Sequence, residues 1–258
     1  MKFKTEAIEA QLLKRYKRFF ADIEVVENSR KTQLTVHVPN TGSLKAVIEK
    51  EAEKPQLCWI TLHGDTAKKL PGTLEAVQTT GGAWVGVNTS TPNKLVKEAA
   101  EQSISTGKAF LSHWENYRFY KPEFKINEES RLDGAFMQSE DQVVDKKAKK
   151  HFIEIKNTTY LRIVAGKKHA QFPDAVTERG TKHLMEMTKL MKEGHSCELI
   201  YVVQRNDAEC FSVAADLDPD YSKAFTKAIE AGLKITPLVC NLNQKGVELT
   251  NRELPIIL

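Results

Sequence analysis

Asp133, Glu154 and Lys156 form a D-x(about 20)-E-x-K pattern, two carboxylates and an ammonium that could act together on a phosphodiester. The segment HFIEIKN, residues 151–157, alternates as a β-strand does: Ile153 and Ile155 on one face, Phe152, Glu154 and Lys156 on the other. The strand SRLDGAFM precedes it by one polar turn, and pairing the two as a hairpin sets Asp133 beside Glu154 and Lys156. Carboxylates on adjacent strands suit Mg²⁺ (or Mn²⁺), which takes oxygen ligands and keeps positions open for water and phosphate. Such an ion lowers the pKa of a bound water and neutralises charge developing on phosphorus. An ammonium nearby can orient that water or stabilise the transition state. Glu98, on a neighbouring helix, is the natural third acid of the metal shell. The pattern by itself is weak; its alternative is an edge strand whose solvated face carries charge.

The elements that must position these groups are legible as two regions. Residues 1–89 read mostly as strands: FADIEVV and TQLTVHV around the turn ENSRK, then CWITLH and AWVGVN with glycine-containing breaks. Short strands at this spacing predict a small barrel or sandwich, a five-strand OB-like barrel among them. At STPNKLVKEAAEQSI the period changes. Pro92 suits a first helical turn capped by Ser90 or Thr91, and Leu95, Val96, Ala99 and Ala100 recur at helical spacing. FPDAVTERGTKHLMEMTKLMKEG predicts a helix capped by Asp174 and stopped by Gly194, with Leu184, Met187, Leu190 and Met191 as its buried stripe. CELIYVVQR is a near-continuous apolar strand, DPDYSKAFTKAIEAG a further helix, and KITPLVCNL a last strand. Residues 90–258 therefore read as an α/β (α+β) domain with a mixed sheet.

Composition excludes several classes. The chain has 258 residues with 28% charged and 41% hydrophobic, enough for a substantial core. No apolar run is long enough for a transmembrane helix, and MKFKTEAIEAQLLKRYKRFF lacks the apolar core of a secretory signal. Cys58, Cys197, Cys210 and Cys240 are scattered, without zinc or disulfide spacing. A reducing cytoplasmic setting is the expectation. Net charge is only +4, but KRYKR packs Lys14, Arg15, Lys17 and Arg18 around Tyr16. Cations interleaved with rings suit a phosphate backbone and stacked bases. The alternative is a solvated strand or helix end whose aromatics belong to the core.

These segments resemble the sugar fermentation stimulation protein family. The matching stretches are LLKRYKRFFADI, VHVPNTGSL, WVGVNTSTPNKLVKEA, SRLDGAFM, FIEIKNTT and FPDAVTERGTKHL, in family order over nearly the whole chain. The resemblance implies an N-terminal OB-like nucleic-acid-binding domain followed by a PD-(D/E)xK nuclease-like domain. It implies DNA or structured nucleic acid as partner, leaves a homodimer open, and carries no membrane association. It assigns Asp133, Glu154 and Glu98 to a metal and Lys156 to the chemistry. It places Arg179 and His183, one helical turn apart, on phosphate near the metal, and makes Asn40 of PNTG a family motif residue on the binding side. Residue by residue, His183 also reads as a helix histidine bordering the Leu184 stripe, and PNTG as an ordinary turn. Two positions depart from the family pattern: Val38 stands where a cysteine usually precedes PNTG, and Gly134 where a bulky residue usually follows the aspartate. Two functions fit this reading, a divalent-metal-dependent nuclease and a non-catalytic DNA-binding regulator of sugar-metabolism genes.

Overall fold

Alternation of buried and exposed side chains builds the first domain. In the computed structural model, which describes residues 1–49, 54–64, 69–128 and 130–258, Ala21, Ile23 and Val25 of β2 (Phe20–Glu27) point into a core shared with Val36, Ile60, Leu74 and Val77. The other strands of this sheet are β1 (Ile8–Tyr16), β3 (Arg30–His37), β4 (Gln56–Leu62), β5 (Gly72–Gln78) and β6 (Trp84–Gly86). Their order is β3-β2-β1-β4-β5-β6, and β3 returns to pair with β5 at His37 and Thr73. The result is a closed five-strand OB barrel with β6 appended. Asn28 and Ser29, both at positive φ, make the β2–β3 turn expected at ENSRK. Gly72 is required by close approach: a Cβ there would stand 2.6 Å from the Thr61 carbonyl oxygen of the adjacent strand β4.

The second domain wraps three helices around a six-stranded mixed sheet. In chain order its elements are α1 (Thr91–Thr106), β7 (Phe119–Lys125), β8 (Arg131–Met137), β9 (His151–Thr158), β10 (Leu161–Val164), β11 (Lys167–Phe172), α2 (Glu178–Lys192), β12 (Ser196–Val203), β13 (Cys210–Val213), α3 (Pro219–Glu230), β14 (Lys234–Asn243), β15 (Gly246–Glu253) and β16 (Ile256–Ile257). The main sheet runs β15-β14-β12-β9-β8-β7, with β9, β12 and β14 parallel and the flanking pairs antiparallel. A smaller sheet, β10-β11-β13-β16, packs beside it. Helix α1 covers one face through Leu95, Val96 and Ala100 against Ile153, Ile155 and Ile200. Helices α2 and α3 cover the other through Leu184, Met187 and Phe225 against Phe152, Leu199 and Tyr201. β9 and β12 are thus buried on both faces, which explains why CELIYVVQR reads as an unbroken apolar run.

Helix ends follow the expected chemistry with two corrections, the first that Ser90 sits at the start of α1 but its hydroxyl bonds Asn88 Oδ1 rather than capping the helix. Asp218 caps α3 by accepting from the Tyr221 N–H at 3.0 Å, and Gly194, at positive φ, follows the end of α2. Asp174 does not cap α2. The helix starts later, and Thr177 Oγ1 accepts from the Gly180 N–H at 3.1 Å. All four cysteines are buried and unbridged. Among the described residues no helix is long and apolar enough to cross a membrane.

The α1-facing core holds a buried carboxylate. Glu198 of β12 is fully enclosed, and its Oε1 accepts from His113 Nε2 at 2.9 Å and from the Thr236 hydroxyl. Its Oε2 accepts from Trp114 Nε1 at 2.9 Å and His151 Nε2 at 3.0 Å. Burial alone would raise this carboxyl, but the bonds from His113 and His151 outweigh it and hold the group well below the usual carboxylate range. A depressed folded-state pKa contributes stability that is present above the unfolded value near 4.5 and is lost as pH falls below it. Glu198→Gln turns an amide toward four donors, and should destabilise the fold by about 3–5 kcal/mol at neutral pH, the cost of breaking a buried ion-paired network. Urea-unfolding midpoints at pH 7 and pH 4 check this: the gap between variant and wild type should shrink at the lower pH. A variant as stable as wild type at pH 7 would show that the network contributes nothing.

Candidate metal centre and nucleic-acid interface

The hairpin of β8 and β9 brings Asp133 and Glu154 together. The ladder pairs Gly134 with Ile153, and beyond it the Asp133 side chain takes the place of a strand partner. Its Oδ2 accepts from the Ile155 N–H at 2.7 Å, and its Oδ1 accepts from Asn93 Nδ2, in the first turn of α1, at 2.6 Å. Burial is the main force raising the Asp133 carboxyl, with Glu154 repulsion next, and together they push it up to about 6. Glu154 is almost fully enclosed. Its Oε1 accepts from Lys156 Nζ at 2.6 Å and from His183 Nδ1 of α2. Burial would raise Glu154 as well, but Lys156 and His183 outweigh it and hold the carboxyl below its usual range.

One atom is left over: Glu154 Oε2 is buried and has no hydrogen-bond partner among the described residues. An ionised oxygen in that position is costly unless a cation or donor meets it. The donor set fits Mg²⁺ or Mn²⁺, since both groups are carboxylates and Asp133 is raised by the like charge beside it. Asp133 and Glu154 would hold the ion, with Lys156 and His183 fixing the orientation of Glu154. A second triad, His113, His151 and Glu198, gathers potential ligand atoms within 4.8 Å of one another. There the four donors to Glu198 already occupy both carboxylate oxygens, so the buried network accounts for its geometry without an ion.

Glu98 is not brought to this cluster. Its carboxylate lies 2.9 Å from the amino group of Met1, beside β15, because five residues along α1 turn it about 140° from Asn93. The contribution of α1 is Asn93, which sequence reasoning did not single out; the only available signal was a polar residue in the first turn after STP. Gly134 has a clear role. A Cβ there would come within 2.2 Å of the Tyr120 hydroxyl, so the ring of Tyr120 on β7 takes the space beside the Gly134 backbone.

The KRYKR cluster divides. Lys14, Lys17 and Arg18 are exposed on the end of β1 and its hairpin loop, with Lys17 and Arg18 at positive φ. Tyr16 stacks on Phe20 at 5.7 Å and donates to Asp22. Arg15 turns inward: its guanidinium donates to the carbonyls of Arg18, Asn40, Gly42 and Ser43 at 2.8–3.0 Å. Asn40 is buried, donating to the Val87 carbonyl at 2.8 Å and accepting from the Gly42 N–H at 2.7 Å. Both residues therefore build the PNTG loop rather than facing outward. Arg179 is exposed in the first turn of α2, on the same side as His183, and makes no side-chain bond to the described residues.

Comparison with known proteins gives matches over both domains. Residues 13–87 match the SfsA N-terminal OB domain, and residues 90–246 match the Sugar fermentation stimulation protein RE domain. A sugar fermentation stimulation protein homolog of Bdellovibrio bacteriovorus is 42% identical, with 99% of each chain covered. One from Rhodospirillum rubrum is 35% identical over 100% of this chain and 99% of its own. Among solved structures, Pyrococcus furiosus SfsA in complex with Ca²⁺ has the same fold, with a TM-score of 0.74 at 20% identity, covering 100% of this chain and 98% of that one.

Two measurements test this arrangement. Millimolar Mg²⁺ or Mn²⁺ should raise the melting temperature, by about 2.7 kcal/mol of added stability at a hundred times Kd. Asp133→Asn should lose that rise; an unchanged metal-dependent shift would remove Asp133 from the ligand set. Arg15→Ala should cost about 1.5–3 kcal/mol in denaturant unfolding, because its charged bonds hold the PNTG loop. Lys14→Ala, Lys17→Ala and Arg18→Ala should each stay within about 0.5 kcal/mol of wild type.

Proposed function

The chain belongs to the sugar fermentation stimulation protein family, and on that premise we propose that it is a divalent-metal-dependent nuclease. In this reading the OB domain helps to hold DNA or another nucleic acid. The observation that carries the proposal is the buried, unpartnered Glu154 Oε2 beside Asp133, with Lys156 on the same carboxylate. Clustered carboxylates repel a polyanion unless a cation bridges them, so a protein that only binds nucleic acid has no use for this set. The Ca²⁺ bound by the Pyrococcus furiosus relative supports a cation-binding role for this fold.

Within the site each residue has a distinct task. Asn93 and the Ile155 N–H orient the Asp133 carboxylate, and His183 turns Glu154 so that Oε2 stays open. Bound Mg²⁺ or Mn²⁺ would supply a water of lowered pKa and neutralise charge on the phosphate. The Lys156 ammonium, only slightly exposed, is positioned to donate to the attacking water or to a phosphate oxygen as charge develops there. Arg179, exposed one turn before His183, supplies a cation for an adjacent phosphate. Lys14, Lys17 and Arg18 extend the positive surface on the OB domain.

Lys156→Ala separates a nuclease from a regulator. An interaction made mainly in the transition state lowers turnover when removed and leaves ground-state affinity nearly unchanged. The variant should bind nucleic acid like wild type and cleave it about 100-fold to 1000-fold more slowly with Mg²⁺ or Mn²⁺. Single-stranded, duplex and branched DNA and RNA are the substrates to test. Wild-type protein that binds but cuts none of them with either metal would leave the regulator standing.

A further inference from the structure

A polar cavity of about 190 Å³ opens between the two domains, immediately past the catalytic strand. Its walls are the PNTG loop, Thr89, the end of β9 with the residues that follow it, and the end of β11 running on to Asp174. Asn157, the residue after Lys156, forms part of the wall, so the cavity adjoins the site described above. From this placement and chemistry we infer that the cavity receives one unstacked base of the nucleic-acid strand held at the Asp133–Glu154 site. The inference rests on the reading of that site as acting on nucleic acid, and adds where the strand goes and in what form.

The lining chemistry selects a base over a phosphate. The hydroxyls of Thr41, Thr159 and Tyr160, the Asn157 amide nitrogen and the Asp174 carboxylate make no hydrogen bond to the described residues. Hydroxyl and amide groups with one carboxylate suit the polar edge of a base, which presents both donors and acceptors. Among the described residues no lysine or arginine lines the cavity, and a phosphate would meet the Asp174 carboxylate unfavourably. The aromatic ring of Tyr160 supplies a stacking surface. Two cations lie over the ring, Lys45 Nζ 5.3 Å and the Arg162 guanidinium 5.7 Å from the Tyr160 centroid, so a stacking base would displace the exposed Lys45 side chain. Arg162 is already held by Asp216 and Gln171, which leaves exposed Lys45 available to a backbone phosphate.

Size and construction agree. The volume lies below the roughly 300–1,000 Å³ of ordinary small-molecule pockets, which favours a single base over a larger ligand. The walls are also prebuilt. Asn40 and Arg15 fix the PNTG loop, and Gln204 donates to both Asn157 Oδ1 and the Asn88 carbonyl, tying the end of β9 to the OB domain. A duplex could not present a base here without extruding it, so the cavity favours single-stranded or locally opened substrate.

An abasic scan across an end-labelled single-stranded oligonucleotide tests the inference. Affinity is read by fluorescence anisotropy in Ca²⁺ for wild type, Tyr160→Ala and Tyr160→Phe. Removing the base at one position should weaken wild-type binding about tenfold, as loss of one stacked base does. Tyr160→Ala should lose a similar factor on the intact strand and nothing further on the abasic one, while Tyr160→Phe keeps most of the affinity. If the intact strand binds tightly but no abasic position matters, or if Tyr160→Ala and base removal act independently, the cavity takes no base and the nuclease reading is untouched. Tyr160-dependent binding of a free nucleoside monophosphate, without position-specific loss on the strand, would also overturn it. If no strand binds at all, both readings fail together.

Discussion

Two carboxylates on neighbouring strands, Glu154 enclosed and Asp133 half-buried, are the constraint around which the second domain is arranged. Asp133 and Glu154 repel one another, and burial adds to the cost of ionising both. The surrounding elements offset this from three directions. Lys156 reaches along β9 itself, His183 comes from α2, and Asn93 comes from the first turn of α1. Helices on both faces of the sheet thus do more than cover a core, because α1 and α2 each deliver one donor to this pair of side chains. The arrangement still leaves Glu154 Oε2 without a partner among the described residues, and an ion between the carboxylates is the group that would complete it.

The two domains share this end of the molecule. The Gly86 N–H donates to the Gln204 carbonyl at 2.8 Å, and Val85 bridges to Arg205, so β6 continues toward the end of β12. Trp59 and Trp84 stack at 3.8 Å, with Leu242 of β14 packed against them. The PNTG loop is therefore presented to the C-terminal end of β9, where Lys156 stands. In an α/β sheet that end is where ligands ordinarily bind. A barrel fixed there adds a second wall to the site.

Much of this was legible in the sequence, for reasons specific to each segment. β9 announces itself because burial on both faces keeps Ile153 and Ile155 apolar while Glu154 and Lys156 alternate with them. α3 carries its own start and stop in Asp218, Pro219 and Gly232. The edge strands were hidden. β7 contains Pro122, which argues against a strand when read from sequence alone, and β15 is half exposed and polar. The hairpin of β10 and β11 is short and rich in lysine. At the site, strand periodicity marked the face shared by Glu154 and Lys156. Glu98 was misplaced because composition shows that a helix has an acid but not which way that acid points once the helix is docked. Asn93 and Arg15 were opaque for the opposite reason: an amide and a guanidinium at element ends look solvated until the carboxylate or carbonyls they bond are brought in from distant sequence.

The central claim is that a divalent ion sits between Asp133 and Glu154. Anomalous diffraction from crystals of the protein soaked in Mn²⁺ tests it most directly, because the ion is located rather than inferred from stability or turnover. The account predicts a peak at coordination distance from an Asp133 oxygen and Glu154 Oε2, about 2–2.5 Å for hard cations on oxygen ligands. A peak at His113, His151 and Glu198 instead, or no peak between the two carboxylates at saturating Mn²⁺, would contradict it.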